Sequence, residues 1–75
     1  MERYKNLSGD SGVVAYQIKP DSIDVKFEDG WIYLYTYKSA GAPHVEHMKV
    51  LAAAGRGLST YIVRYVRKGY EWKRR

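Results

Sequence analysis

The chain reads as an α+β domain: a three-stranded antiparallel β-meander, then two helices packed on the sheet, with room for a short C-terminal strand. Three observations predict it. Ser22 to Tyr37 contains two period-two runs around Asp29-Gly30, the strongest short-range signal of a β-hairpin. Val13 to Lys19 (VVAYQIK) alternates in the same way just upstream. After Pro43 the apolar spacing changes from two to about 3.6, the period of an α-helix.

Size and composition narrow the class. The 75 residues make one domain, close to the length at which a single core only just suffices. With 45% hydrophobic and 28% charged residues and two prolines, the chain is globular rather than disordered. It has no cysteine, so disulfides and thiolate metal sites are excluded, in keeping with a reducing cytoplasm. No apolar run approaches the roughly 18 residues of a membrane span. The opening MERYKNLSGD lacks the apolar core of a secretion signal. A soluble intracellular protein without membrane contact is expected.

Taken in order, residues 1–12 carry the turn-forming Ser8-Gly9-Asp10-Ser11-Gly12 and are expected to form a mobile end. In the first strand Val14, Tyr16 and Ile18 should share one face, against Ala15 and Gln17. Pro20-Asp21 suits a tight turn into the second strand. The hairpin register then has two solutions. A two-residue Asp29-Gly30 turn pairs Phe27 with Ile32 and leaves Trp31, Tyr33, Tyr35 and Tyr37 as an outer ladder. A three-residue loop with Gly30 in a bulge pairs Phe27 with Trp31, Val25 with Tyr33 and Ile23 with Tyr35, and moves the rings into the core. One residue of slip exchanges the two faces, and Asp-Gly suits either loop.

The helical half has clear punctuation. Pro43 suits the first turn of a helix, and His44 to Ala54 puts Val45, Met48, Leu51 and Ala52 on one face. Gly55 is placed to close that helix in a left-handed cap. The small residues Ala52 to Gly55 should admit the sheet or the next helix at close range. Following Gly57, LSTYIVRYVRK sets Leu58, Tyr61, Ile62, Tyr65 and Val66 on one arc, with Thr60, Arg64, Arg67 and Lys68 opposite. Gly69 is its expected stop, and residues 73–75 should fray.

The net charge of +5 is unevenly spread. Residues 56–75 hold seven Lys/Arg against one acid, Glu71, a net of +6; residues 1–55 hold six Lys/Arg against seven acids, a net of −1. A local basic surface attracts phosphate. Chemistry beyond binding finds little support. His44 and His47 have a spacing that can serve two metal ligands, but no third ligand accompanies them and a mononuclear site needs three or four. Gly55-Arg56-Gly57 precedes a helix without the spacing of a nucleotide-binding loop. No nucleophile elbow or catalytic triad context is present. A non-enzymatic protein with no cofactor is expected.

Several segments together, IDVKF (Ile23 to Phe27), Asp29-Gly30, Tyr33 and Tyr35, Ala54-Gly55, and Gly57-Leu58 leading to Ile62-Val63-Arg64, resemble the KTSC domain. That small module occurs at the C-terminus of some lysyl-tRNA synthetases and as stand-alone bacterial proteins. The resemblance spans roughly residues 11–70. The chain departs from the family pattern in KSAGAP (Lys38 to Pro43), where a short Val-Pro-type connection is usual, and in an ending without proline. What the resemblance implies is the bulged hairpin register and, through the synthetases, a link to RNA.

Two functions follow as expectations. The first is nucleic-acid binding, RNA above all, with Arg56, Arg64, Arg67, Lys68, Lys73, Arg74 and Arg75 on phosphates and Trp31 with Tyr33 or Tyr35 stacking bases where exposed. The second is a homo-oligomer or a protein-interaction module that shares the aromatic strand face, since Tyr and Trp are typical interface anchors. Rings beside the basic residues favour the first; rings on a separate face favour the second.

Overall fold

A computed structural model describes residues 1–75. The hairpin at its centre joins β3 (Ser22–Phe27) to β4 (Ile32–Thr36) through the loop Glu28-Asp29-Gly30. The Asp29 carboxylate accepts the Trp31 N–H at 3.0 Å. Gly30 takes φ +92°, a conformation costly for a side-chain-bearing residue. The Phe27 N–H donates to the Trp31 carbonyl at 2.9 Å, so Val25 faces Tyr33 and Ile23 faces Tyr35. This is the bulged register, and it turns Ile23, Val25 and Tyr35 inward, each no more than 1% exposed.

The meander of β2 (Val13–Lys19), β3 and β4 is extended at both edges. Strand β1 (Glu2–Arg3) pairs with β2, and β5 (Trp72–Arg74) pairs with β4, giving an antiparallel sheet in the order β1-β2-β3-β4-β5. Strand β5 is the short C-terminal strand expected, though it runs on into residues 73 and 74 that were expected to fray, and β1 lies in the segment expected to be a mobile end. At the start, Tyr4 is 3% exposed and belongs to the core, its N–H donates to Val14, and the Leu7 N–H donates to the Gly55 carbonyl. At the finish, Tyr70 packs edge-on against Tyr33 (4.9 Å between centroids) and the Glu71 N–H donates to Leu34, which lays residues 72–74 along β4. An aromatic anchor upstream of a basic tail is enough to order it.

A bulge between Val13 and Ala15 shifts β2, so Val13 and Tyr16 are buried while Val14 and Ile18 are exposed. The alternation read from Val14 to Ile18 is broken by that extra residue. On the outer sheet face, Asp24 pairs with Lys19 at 3.1 Å in the row beside Leu34.

Helix α1 (Ala42–Ala54) crosses the inner sheet face and buries Val45, Met48 and Ala52, with Leu51 partly covered. Gly55 closes it with φ +77°, its N–H reaching the carbonyls of Ala52 and Leu51. The close neighbour that this glycine admits is the N-terminal arm rather than the sheet or the second helix. A Cβ on Gly55 would lie 2.6 Å from the Lys5 Cβ. Helix α2 (Leu58–Tyr61) runs directly into a π-helical turn (Ile62–Val66). Leu58, Ile62 and Val66 are its buried residues, one every fourth position, and all three join the single core between helices and sheet. No helix is long and apolar enough to cross a membrane.

Candidate nucleic-acid interface

Register decides which rings meet which cations. Pairing of β5 with β4 sets Lys73 opposite Tyr33 and Arg74 opposite Ile32. Lys73 Nζ then stands 5.1 Å from the Trp31 ring centroid and 5.7 Å from that of Tyr33. The Arg75 guanidinium lies 5.0 Å from the same Trp31 ring, and one of its nitrogens donates to the Asp29 carbonyl at 3.4 Å. On the other face of the strand Arg74 lies 5.5 Å from the Trp72 ring. Each contact is a cation–π pairing, worth about 0.5–1 kcal/mol at an exposed site. Because β5 is the terminal strand, its outer backbone edge is unpaired, and its cations discourage pairing with another strand.

The positive charge here is unneutralised. The ion pairs of the molecule are Lys19 with Asp24 and Lys49 with Glu46. None of the seven basic residues from Arg56 onward pairs with a carboxylate, and Glu71 instead accepts a hydrogen bond from the Thr36 hydroxyl at 3.0 Å. Lys49 and the Tyr37 hydroxyl, in that order of weight, hold the Glu46 carboxyl below its ordinary value at the far edge of α1.

The structure divides the anticipated site. Trp31 and Tyr33 are half-buried and lie with Lys73 and Arg75 in one strip. Tyr33 also lines a cleft of about 470 Å³, bounded by Phe27, Ser59 and Arg67. Lys68 is exposed just beyond Arg67. Arg56 sits at the turn between the helices and Arg64 lines a different groove, so neither touches the strip. The single basic helix face read from periodicity is therefore absent: the π turn ends the helix at Val66, and Arg67 takes φ +36°. Left-handed φ at a residue other than glycine costs about 1–3 kcal/mol, and here it brings Arg67 to the cleft.

Tyr35 requires a second correction. It is 1% exposed and stacked near Tyr33 (6.5 Å between centroids), so it presents no ring face to a ligand. Burial first, then the neighbouring Tyr33 and Tyr70, push its phenol well above the ordinary value of 10.0. The fold therefore holds the phenolic proton more tightly than the unfolded chain does. That contribution is complete below pH 10 and is lost as the pH rises past it. Urea unfolding across this range should show stability falling about 1.4 kcal/mol per pH unit more steeply in the parent protein than in Tyr35→Phe. Equal slopes would place Tyr35 in water.

Sequence reasoning missed one assembly. His44 Nδ1 and the Tyr61 hydroxyl are 2.7 Å apart, the His47 ring lies 4.5 Å from that of Tyr61, and Tyr65 lies 4.7 Å from Tyr61 on its other flank. These four rings line a groove of about 640 Å³ between α1 and α2, with Arg64 at its border. Burial, then Tyr65, raises the Tyr61 phenol above its ordinary value. The clue was available: His at i, i+3 in one helix and Tyr at i, i+4 in the next put each pair on one face. Which faces would meet required the packing of the two helices. Tyr65, placed on the buried arc by periodicity, is 57% exposed in this groove. No third His, Cys, Asp or Glu joins the histidines.

Comparison with known proteins finds no matching family model, no similar curated sequence and no similar solved structure.

Proposed function

We propose that the chain is a small non-enzymatic, cytoplasmic module that binds single-stranded nucleic acid, RNA first, along the strip of Trp31, Tyr33 and strand β5. The observation that carries this reading is the sharing of one exposed sheet edge by aromatic rings and unneutralised cations. Lys73 and Arg75 take phosphates, while Arg67, Lys68 and Arg74 lengthen the electropositive track. Trp31 offers a ring on which a base stacks, worth about 1–3 kcal/mol per base and tolerant of sequence. The resemblance to the KTSC module, also part of this proposal, points the same way.

Phosphate neutralisation releases counterions, so affinity should fall with salt at a log–log slope of about −0.7 per phosphate. Titration of labelled protein with a mixed-sequence single-stranded RNA, at low and then moderate salt, is the test. Shifts at Trp31, Tyr33, Arg67 and Lys73 that fade with salt are expected. Shifts confined to Arg75, or none at low salt, would overturn the reading.

A second reading, a homo-oligomer or protein-interaction module, is favoured by the exposed four-ring groove between the helices, which lies apart from β5. It requires a sedimenting mass above 8.7 kDa or a partner that shifts His44, Tyr61 and Tyr65.

A further inference from the structure

The cleft beside the strip has the composition of a ligand pocket. Its volume of about 470 Å³ falls within the usual range of about 300–1,000 Å³ for small-ligand sites. Its walls are Phe27 and Tyr33, which meet edge to face at 5.2 Å, with Tyr35 behind them. The two rings stand at 85° to one another and form a corner, where a planar heteroaromatic ring can stack on one and meet the edge of the other.

Apart from Asp29, whose carboxylate accepts the Trp31 N–H, the polar side chains in the cleft are uncommitted. Tyr35 is 1% exposed and lines the cleft, and its hydroxyl takes part in no hydrogen bond within the protein. That hydroxyl retains contact with solvent and is free to pair with a ligand; the fully buried side-chain oxygen without a partner is Asp24 Oδ1, on the outer sheet face. The Ser59 hydroxyl lines the same space with no partner, and Arg67 reaches it with no carboxylate to neutralise it. Strained backbone places that arginine at the cleft, since its φ is +36°. From the hairpin turn comes Glu28, whose carboxylate is exposed and unpaired. The cleft thus combines an aromatic corner, two hairpin carboxylates (the free Glu28, and Asp29, which already accepts the Trp31 N–H), two free hydroxyls and a guanidinium.

A nucleotide whose base carries an exocyclic amine matches that set group for group. The ring fits the corner of Phe27 and Tyr33, the amine donates to Glu28, the ring nitrogens and carbonyls meet the hydroxyls of Tyr35 and Ser59, and the phosphate meets Arg67. Uracil lacks the amine and presents a carbonyl oxygen to the carboxylate, a repulsive contact. We propose that the cleft bounded by Phe27, Tyr33, Ser59, Arg67 and Glu28 takes one amino-bearing base, adenine, cytosine or guanine, from the strand held along β5. The inference rests on the binding strip above and adds base preference to it.

The experiment compares oligoadenylate, oligocytidylate and oligouridylate of equal length by fluorescence anisotropy at low salt. OligoA and oligoC should bind about tenfold more tightly than oligoU, the equivalent of one hydrogen bond to a charged group. In Glu28→Gln, a change at an exposed position, that ratio should collapse. Ser59→Leu, which fills the cleft, should bring all three oligomers to one affinity, its folding being verified by circular dichroism. Equal affinities for the parent protein, or a ratio that survives Glu28→Gln, would overturn the cleft assignment and leave the strip standing. Absence of binding by all three oligomers would remove the strip and the cleft together.

Discussion

Reversing two charges on β5, Lys73→Glu with Arg75→Glu, is expected to weaken RNA binding by about a hundredfold or more at low salt, two phosphate contacts becoming two repulsions. Both residues stand against Trp31, so the change also faces the stacking ring with carboxylates. The control carries the same change in net charge elsewhere: Arg56→Glu with Arg64→Glu, two exposed residues that do not touch the strip. That pair should weaken binding only modestly, through the long-range field of the protein. Neutral replacements, Lys73→Gln with Arg75→Gln, should flatten the salt dependence by about 1.4 in log–log slope, two phosphates on a single strand. Anisotropy titrations over a salt series supply all three numbers. Equal losses from the two charge-reversal pairs would mean that binding follows net charge and that no localised strip exists.

Tyr4→Ala is expected to destabilise the fold by about 3–5 kcal/mol, the usual effect of truncating a buried aromatic residue. A domain of this length holds roughly 4–11 kcal/mol in all, so the variant should be partly unfolded at room temperature. Tyr4 is 3% exposed, packs with Ile62 and Leu58 in the single core, and accepts the Leu58 N–H on its hydroxyl at 3.3 Å. Tyr4→Phe keeps the ring and loses only that acceptor, a change of about 1 kcal/mol. Urea unfolding followed by circular dichroism separates the three proteins. A loss below about 1 kcal/mol for Tyr4→Ala would mean that the N-terminal arm detaches in solution, as its Ser-Gly-rich sequence alone suggests.

Those two predictions mark where sequence patterns stop being sufficient. Trp31 and Tyr33 were legible as candidate stacking rings, and the basic C-terminal segment as a candidate phosphate-binding surface. The cleft was not legible, because its walls come from the hairpin, its hydroxyls from β4 and α2, and its guanidinium from the end of the π turn. Residues so far apart in the chain share no local period. The four-ring groove behaves likewise: each helix shows its own pair of rings, and neither shows that the pairs meet.

The sequence by itself determined the fold class, the meander from Val13 to Thr36, helix α1 and its Gly55 cap, and the local charge of +6. Each of these rests on interactions within a few residues: period, turn chemistry, or the freedom of glycine to take positive φ. Tertiary structure alone decided four further features. It selected, between the two loops that Asp-Gly chemistry tolerates, the bulged register that the family resemblance implied and that buries Tyr35, since the core needs that face filled. It ordered both ends, through Tyr4 in the core and Tyr70 against Tyr33. It made the π turn that separates Arg64 from Arg67, with Leu58, Ile62 and Val66 filling the core and Arg67 carried to positive φ. It also placed Lys73 and Arg75 on Trp31, because β5 has no strong pattern of its own and takes its position from β4. In each case burial and pairing between distant segments outweighed a local preference worth no more than about 1 kcal/mol.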